Sequence, residues 1–193
     1  MSKLVNEIEA DTLMKPHLPI LKTEMKNALD ALNRSMVASG ENWNNRAKCS
    51  AFHSIAIEKI TRAFKDAPDV LIVPKYQSIQ IVFGDKIVGR IKKLNKDNFT
   101  SNAKTTRNDL ILSHQLSMFP ELGPLTFVDI AYKVDSSWAE YDGLSVVCRL
   151  KDSLQWQLDF KDIALVVPMV ERQEIVTPKP DESNIQIKKT KNK

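Results

Sequence analysis

From Leu18 onward, apolar side chains recur at three- and four-residue intervals, at Leu18, Leu21, Met25, Leu29, Leu32 and Met36, and the run stops at Ser39-Gly40. This spacing predicts a helix with one buried face, closed by a glycine that can take a left-handed C-cap. A second periodic segment places Phe52, Ile55, Ala56, Ile60, Ala63 and Phe64 on an apolar line. It has Asn44 or Asn45 as N-cap and ends before Pro68. The short GENWNN connection predicts an antiparallel helical hairpin, with Trp43 at the corner packing on both helices.

At Asp69 the period changes to two. VLIVP, SIQIVF and KIVGRIKKL read as strands, with Gly84-Asp85 as a two-residue turn between the second and third. Ile79, Ile81 and Phe83 share a face. In the third strand Val88, Arg90 and Lys92 alternate with Ile87, Gly89 and Ile91, so the cations are predicted to emerge opposite the isoleucines. NKDNFTSNAKTTRN is a polar connection whose Asn and Thr residues can cap a helix over NDLILSHQLSMF. After a turn at FPELGP, the segments TFVDIAYKVD, GLSVVCRL and SLQWQLDF predict three more strands. They are joined by the loop SSWAEYDG and a tight Lys-Asp turn, and ALVVP suggests a short seventh strand.

The architecture expected from this pattern is α+β: an N-terminal helical hairpin packed on a mostly antiparallel sheet of five to seven strands, with one helix inserted after the third. Residues 1–16, polar and mixed in charge, read as a flexible N-terminal arm, and residues 17–170 as a single domain. Residues 171–193, with two prolines and no aromatic residue, read as a disordered basic tail.

Composition adds bounds. A chain of 193 residues with 42% hydrophobic and 27% charged side chains suits one ordinary packed domain. The net charge of +4 is mild, and four lysines of the terminal KKTKNK account for it, which leaves the body near neutral. Two cysteines without CxxC spacing, Cys49 and Cys148, point to a reduced, cytoplasmic setting. No apolar run is long enough to span a membrane, and MSKLVNEIEADTLMKP carries acids where an export signal needs its apolar centre.

Most enzymatic signatures are missing: there is no GxSxG, HExxH, Walker loop or GxGxxG, and five glycines offer little for a phosphate-cradling loop. His17, His53 and His114 fall on separate segments, so no metal site and no cofactor are expected. Cys148 paired with His53 or His114 is one conceivable nucleophile, but its apolar run SVVCRL suits a small buried hydrophobe. The most interesting enzymatic fragment is Asp69 together with Asp159 and Lys161, the kind of set from which a metal-dependent nuclease is built, in which carboxylates hold a divalent ion and a lysine helps position or activate water.

Two surface candidates remain. Arg90, Lys92, Lys93 and Lys96, flanked by Lys86, Lys104 and Arg107, can neutralise several phosphates, with Phe99 or Tyr76 near enough to stack a base. The plainer alternative is a lysine-protected strand beside a soluble loop. In SSWAEYDG, Trp138 and Tyr141 act either as plugs on the core or as anchors for a protein partner, the acidic rim of Glu140 and Asp142 favouring protein over nucleic acid.

Between residues 88 and 156, RIKKL, the SN and T of SNAKTT, a glutamine before FPELGP, AYKVD, a loop tryptophan, VVC and LQWQL follow in order. This third of the chain resembles small bacterial proteins that accompany repressor-like or zinc-peptidase-like partners in toxin–antitoxin or phage-defence cassettes. The resemblance implies a context and brings no catalytic residue with it. The sequence therefore leaves three expectations in place: a non-enzymatic protein-binding or regulatory component, a nucleic-acid binder, and a metal-dependent nuclease. It sets no oligomeric state.

Overall fold

The structure, a computed structural model, describes residues 4–75, 77–95, 100, 105–114, 125–151 and 153–160, without the side chain of Arg107. Helix α1 spans Glu7–Met14, α2 Leu18–Ser39 and α3 Asn45–Ala63. The α2–α3 hairpin forms where the apolar spacing predicts it. Gly40 takes the left-handed cap at φ 64°, the Asn44 side chain accepts the Ala47 N–H at 2.9 Å, and Trp43 packs at the corner.

Helix α1 departs from the expected flexible arm. It is capped by Asn6 and buries Ala10 and Met14 completely. Just before it, the Val5 N–H donates to Thr126 Oγ1 and the Val5 carbonyl accepts from Trp156 Nε1, both at 2.9 Å, which stitches the segment to the sheet. So few buried positions leave no clear period in the sequence, and the anchoring partners lie more than a hundred residues away.

The strands are β1 Val70–Lys75, β2 Ser78–Phe83, β3 Ile87–Lys93, β4 Thr126–Val134, β5 Tyr141–Leu150 and β6 Ser153–Asp159, and a fourth helix, α4, spans Thr106–Leu112. They form one six-stranded sheet in sequence order, antiparallel throughout except for the parallel pair β3–β4. Among the described residues the α+β class, the N-terminal hairpin, the mostly antiparallel sheet and one helix inserted after the third strand all stand as expected. At the β2–β3 turn Gly84 and Asp85 both adopt positive φ, 51° and 53°, and the Lys86 N–H closes on the Phe83 carbonyl. The expected ALVVP strand and the tail lie outside the described residues.

Both faces of the sheet are covered. One carries Ile81, Phe83, Ile87, Ile130 and Val146 into the main core beneath α2 and α3. The other buries Val82, Val88 and Phe127 with Ile111 of α4, because a parallel β3–β4 pair requires a crossover and this one lays α4 across the second face. Gly89 leaves room for the Ile130 side chain on the core face of the sheet: a Cβ there would stand 2.4 Å from Ile130 Cδ1 and 2.9 Å from its Cγ1. His114 locks α4 in place. Its Nε2 donates to the Arg149 carbonyl at 2.7 Å and its Nδ1 accepts the Phe127 N–H at 3.0 Å, a pairing that needs the neutral ring.

Burial holds the His114 pKa below the ordinary value of 6.5, against a smaller upward pull from the Arg149 hydrogen bond. The unfolded chain therefore binds the proton more readily, and the contribution of this residue is complete above about pH 6.5 and lost as pH falls through the folded value. Denaturant melts between pH 7.5 and 5.5 are expected to show falling stability. His114→Gln is expected to be less stable at pH 7.5 and to fall less steeply.

Candidate functional site

The side chains read as an exposed basic grip are divided by the fold. Arg90 lies on the face covered by α4 and is only 9% exposed. Its Nε and Nη2 donate to Asp129 Oδ1 at 3.0 and 2.6 Å, and its Nη1 donates to Asn108 Oδ1 at 3.2 Å. Thr100 Oγ1 donates to the second oxygen of Asp129 at 2.6 Å. Asp129 is 3% exposed, so this is a buried ion pair joining β3, β4 and α4. The expectation that Arg90 emerges to solvent is corrected: strand alternation places it opposite the isoleucines, but the crossover helix covers that face as well. Lys86 is held by Glu9 at 2.7 Å. Lys96, Lys104, Tyr76 and Phe99 lie outside the described residues.

Trp138 is a core plug and not an exposed anchor. It is 1% exposed, edge-on to Phe52 at 5.9 Å between centroids, with the Lys93 ammonium 4.0 Å from its ring centre. The surrounding loop is shaped by Asp135, whose carboxylate accepts from the Ser137 and Glu140 N–H groups and from the Ser137 hydroxyl. These bonds, the Glu140 N–H foremost, lower its pKa to about 2, and the turn holds Trp138 at φ 68°. Tyr141 turns its hydroxyl toward Met25 Sδ at 3.6 Å and is pushed to a higher pKa by burial. The loop thus presents little of its aromatic surface.

The metal-nuclease fragment does not assemble. Asp69 borders β1 and Asp159 lies on β6, the two opposite edges of the sheet, with four strands between them. Asp69 accepts from His17 at 3.0 Å, while Asp159 accepts from Ser145 and Gln157. Lys161 lies outside the described residues, and among these no group of three potential metal ligands occurs. Cys148 is likewise structural, buried in the core with its thiol pushed up to about 12 by burial and then by Asp129.

A different site appears where the sheet divides. The registered β2–β3 pairing runs from Phe83–Ile87 to Gln80–Arg90. Beyond it β2 keeps to β1 as far as Ser78–Lys75, and β3 keeps to β4 as far as Lys93–Tyr132. Between them opens a cavity of about 600 Å³, lined by residues from both strands and by Cys49, Ser50 and His53 on α3. Its charged walls are Lys75, Arg90, Lys92 and Lys93, with His53, Cys49 and Tyr132 as its other titratable groups, and its described lining contains no carboxylate. Burial, then the charge of Arg90, lowers the pKa of Lys92 against the opposing pull of Asp129. Burial, then Lys92, lowers that of His53, which favours its neutral form. An anion entering the cavity would relieve this repulsion.

Three of the expected binding residues, Arg90, Lys92 and Lys93, therefore do meet at one site. Arg90 reaches it from within a buried pair and Lys93 while resting on Trp138. Lys75 and His53 complete the wall, and neither is visible as a partner in the sequence, since only the division of the sheet brings β1, β3 and α3 together. The fold and site define an α+β protein with a cationic cleft set into its sheet. Comparison with protein-family models, with curated proteins and with solved structures finds no match. No helix among the described residues is long and apolar enough to cross a membrane.

Proposed function

We propose that this protein is a non-enzymatic binding component whose partner is anionic, a nucleic-acid strand held by its phosphates at the β2–β3 cleft. The observation that carries this reading is a cavity walled by Lys75, Arg90, Lys92, Lys93 and His53 with no described carboxylate facing it. Lys75, Lys92 and Lys93 raise the local potential and attract phosphate oxygens, acting as point charges along a backbone, whereas the charge of Arg90 is balanced by the buried Asp129. The setting is reduced and cytoplasmic, in keeping with two free cysteines. A regulatory role in a toxin–antitoxin or phage-defence cassette is compatible with a nucleic-acid partner and rests on the resemblance of residues 88–156.

A labelled single-stranded oligonucleotide at low salt is expected to bind the wild-type protein. Joint replacement of Lys75, Lys92 and Lys93 by glutamine is expected to remove most of that binding while the thermal melt is preserved. Absence of wild-type binding at low salt, or unchanged binding by the triple variant, would overturn the assignment.

A further inference from the structure

The cationic cavity does not end at its own walls. A second hollow of about 620 Å³ adjoins it along α3 and shares Ser50, His53, Gln77, Ser78 and Ile79 with it. The described residues it adds are Ser54, Ile57, Thr61 and Pro74, none of them charged. The two hollows form one groove with a cationic lobe and a neutral lobe, the latter mixing hydroxyls with apolar surface. Each lies within the range of roughly 300–1,000 Å³ in which small-ligand sites fall.

The geometry points to a nucleotide unit as the ligand of this groove, its phosphate in the cationic lobe and its sugar and base in the neutral lobe. This inference rests on the anion-binding reading and deepens it. A phosphate alone has no use for the second lobe, and a purely apolar ligand has none for the first. Ser54 Oγ donates to the Ser50 carbonyl at 3.1 Å and so retains acceptor lone pairs for a base or ribose donor. Ile57 and Pro74 offer apolar surface to a base face. His53 lines both lobes, and its neutral imidazole provides one donor and one acceptor near the junction of phosphate and sugar.

Such a unit has two sources, a free mononucleotide or one residue of a single strand, and titrations can separate them. Inorganic phosphate, thymidine 5′-monophosphate and a short oligothymidylate are titrated into the full chain. The nucleotide is expected to bind at least about tenfold tighter than phosphate, the difference coming from a few hydrogen bonds and buried apolar contact. Ser54→Trp, and independently Thr61→Trp, at exposed α3 positions, are expected to abolish that preference and leave phosphate affinity unchanged. An oligothymidylate that binds tighter than the mononucleotide identifies a strand as the source; equal affinity identifies the free nucleotide. If phosphate and nucleotide bind equally well, or if the tryptophan variants keep the preference, the neutral lobe is not a nucleoside subsite, although the cationic lobe stands. If none of the three probes binds, both readings fall.

Discussion

Asp129→Asn is expected to be the most damaging conservative change in the described fold, costing about 3–5 kcal/mol of stability, because it leaves the Arg90 cation buried without a counter-charge. For a domain of this size that corresponds to a fall in Tm of about 6–20 °C. The asparagine preserves shape and one acceptor oxygen, so the loss reports charge and not packing. Both side chains are nearly inaccessible, and Thr100 converges on the same carboxylate, which makes the network cooperative. The double variant Arg90→Met with Asp129→Leu is expected to recover most of the loss, since two apolar groups of similar size remove both desolvation costs together. If Asp129→Asn melts within about 1 kcal/mol of the wild type, the pair is not buried as described.

Trp138→Ala is expected to cost a comparable amount, about 3–5 kcal/mol, through loss of apolar burial and the cavity left beneath Phe52. Trp138→Phe is expected to cost much less, since a ring still fills the site. The alanine variant also frees the Lys93 ammonium from the indole face and loosens one wall of the cleft, so anion affinity is expected to fall together with stability. Urea denaturation of the three proteins decides the matter. An alanine variant as stable as the wild type would mean that the loop presents the indole outward.

The helical hairpin and the strand alternation were legible in the sequence because each reflects a single buried face with a fixed period, and Gly40, Asn44 and Gly84-Asp85 mark the ends. The covering of the second sheet face was harder to see, yet it left a signal. In Ile81-Val82-Phe83 and Ile87-Val88 the apolar residues occupy both parities, which is how a strand buried on both sides reads. Asp129, a single acid within the apolar TFVDIAYKV, likewise announces a buried partner. Pairing it with Arg90, 39 positions earlier, requires the parallel β3–β4 register, which no local pattern encodes. The site followed the same division. Arg90, Lys92 and Lys93 were visible as a cationic run, whereas Lys75, His53 and the neutral lobe depend on where β2 and β3 part. In the sequence Trp138 is an aromatic residue in a loop; that it points inward is set by the Asp135 turn, whose geometry lies in backbone angles and not in composition.

The central claim, a phosphate grip at the β2–β3 cleft, is tested most directly by oligonucleotide affinity measured against salt concentration. With three lysines contacting phosphates of a single strand, log K is expected to fall with log salt at a slope of about −2, and each Lys→Gln change at 75, 92 or 93 to make it shallower by about 0.7. A slope near zero, or a slope of −2 that survives all three substitutions together, would contradict the account and place the grip outside the cleft.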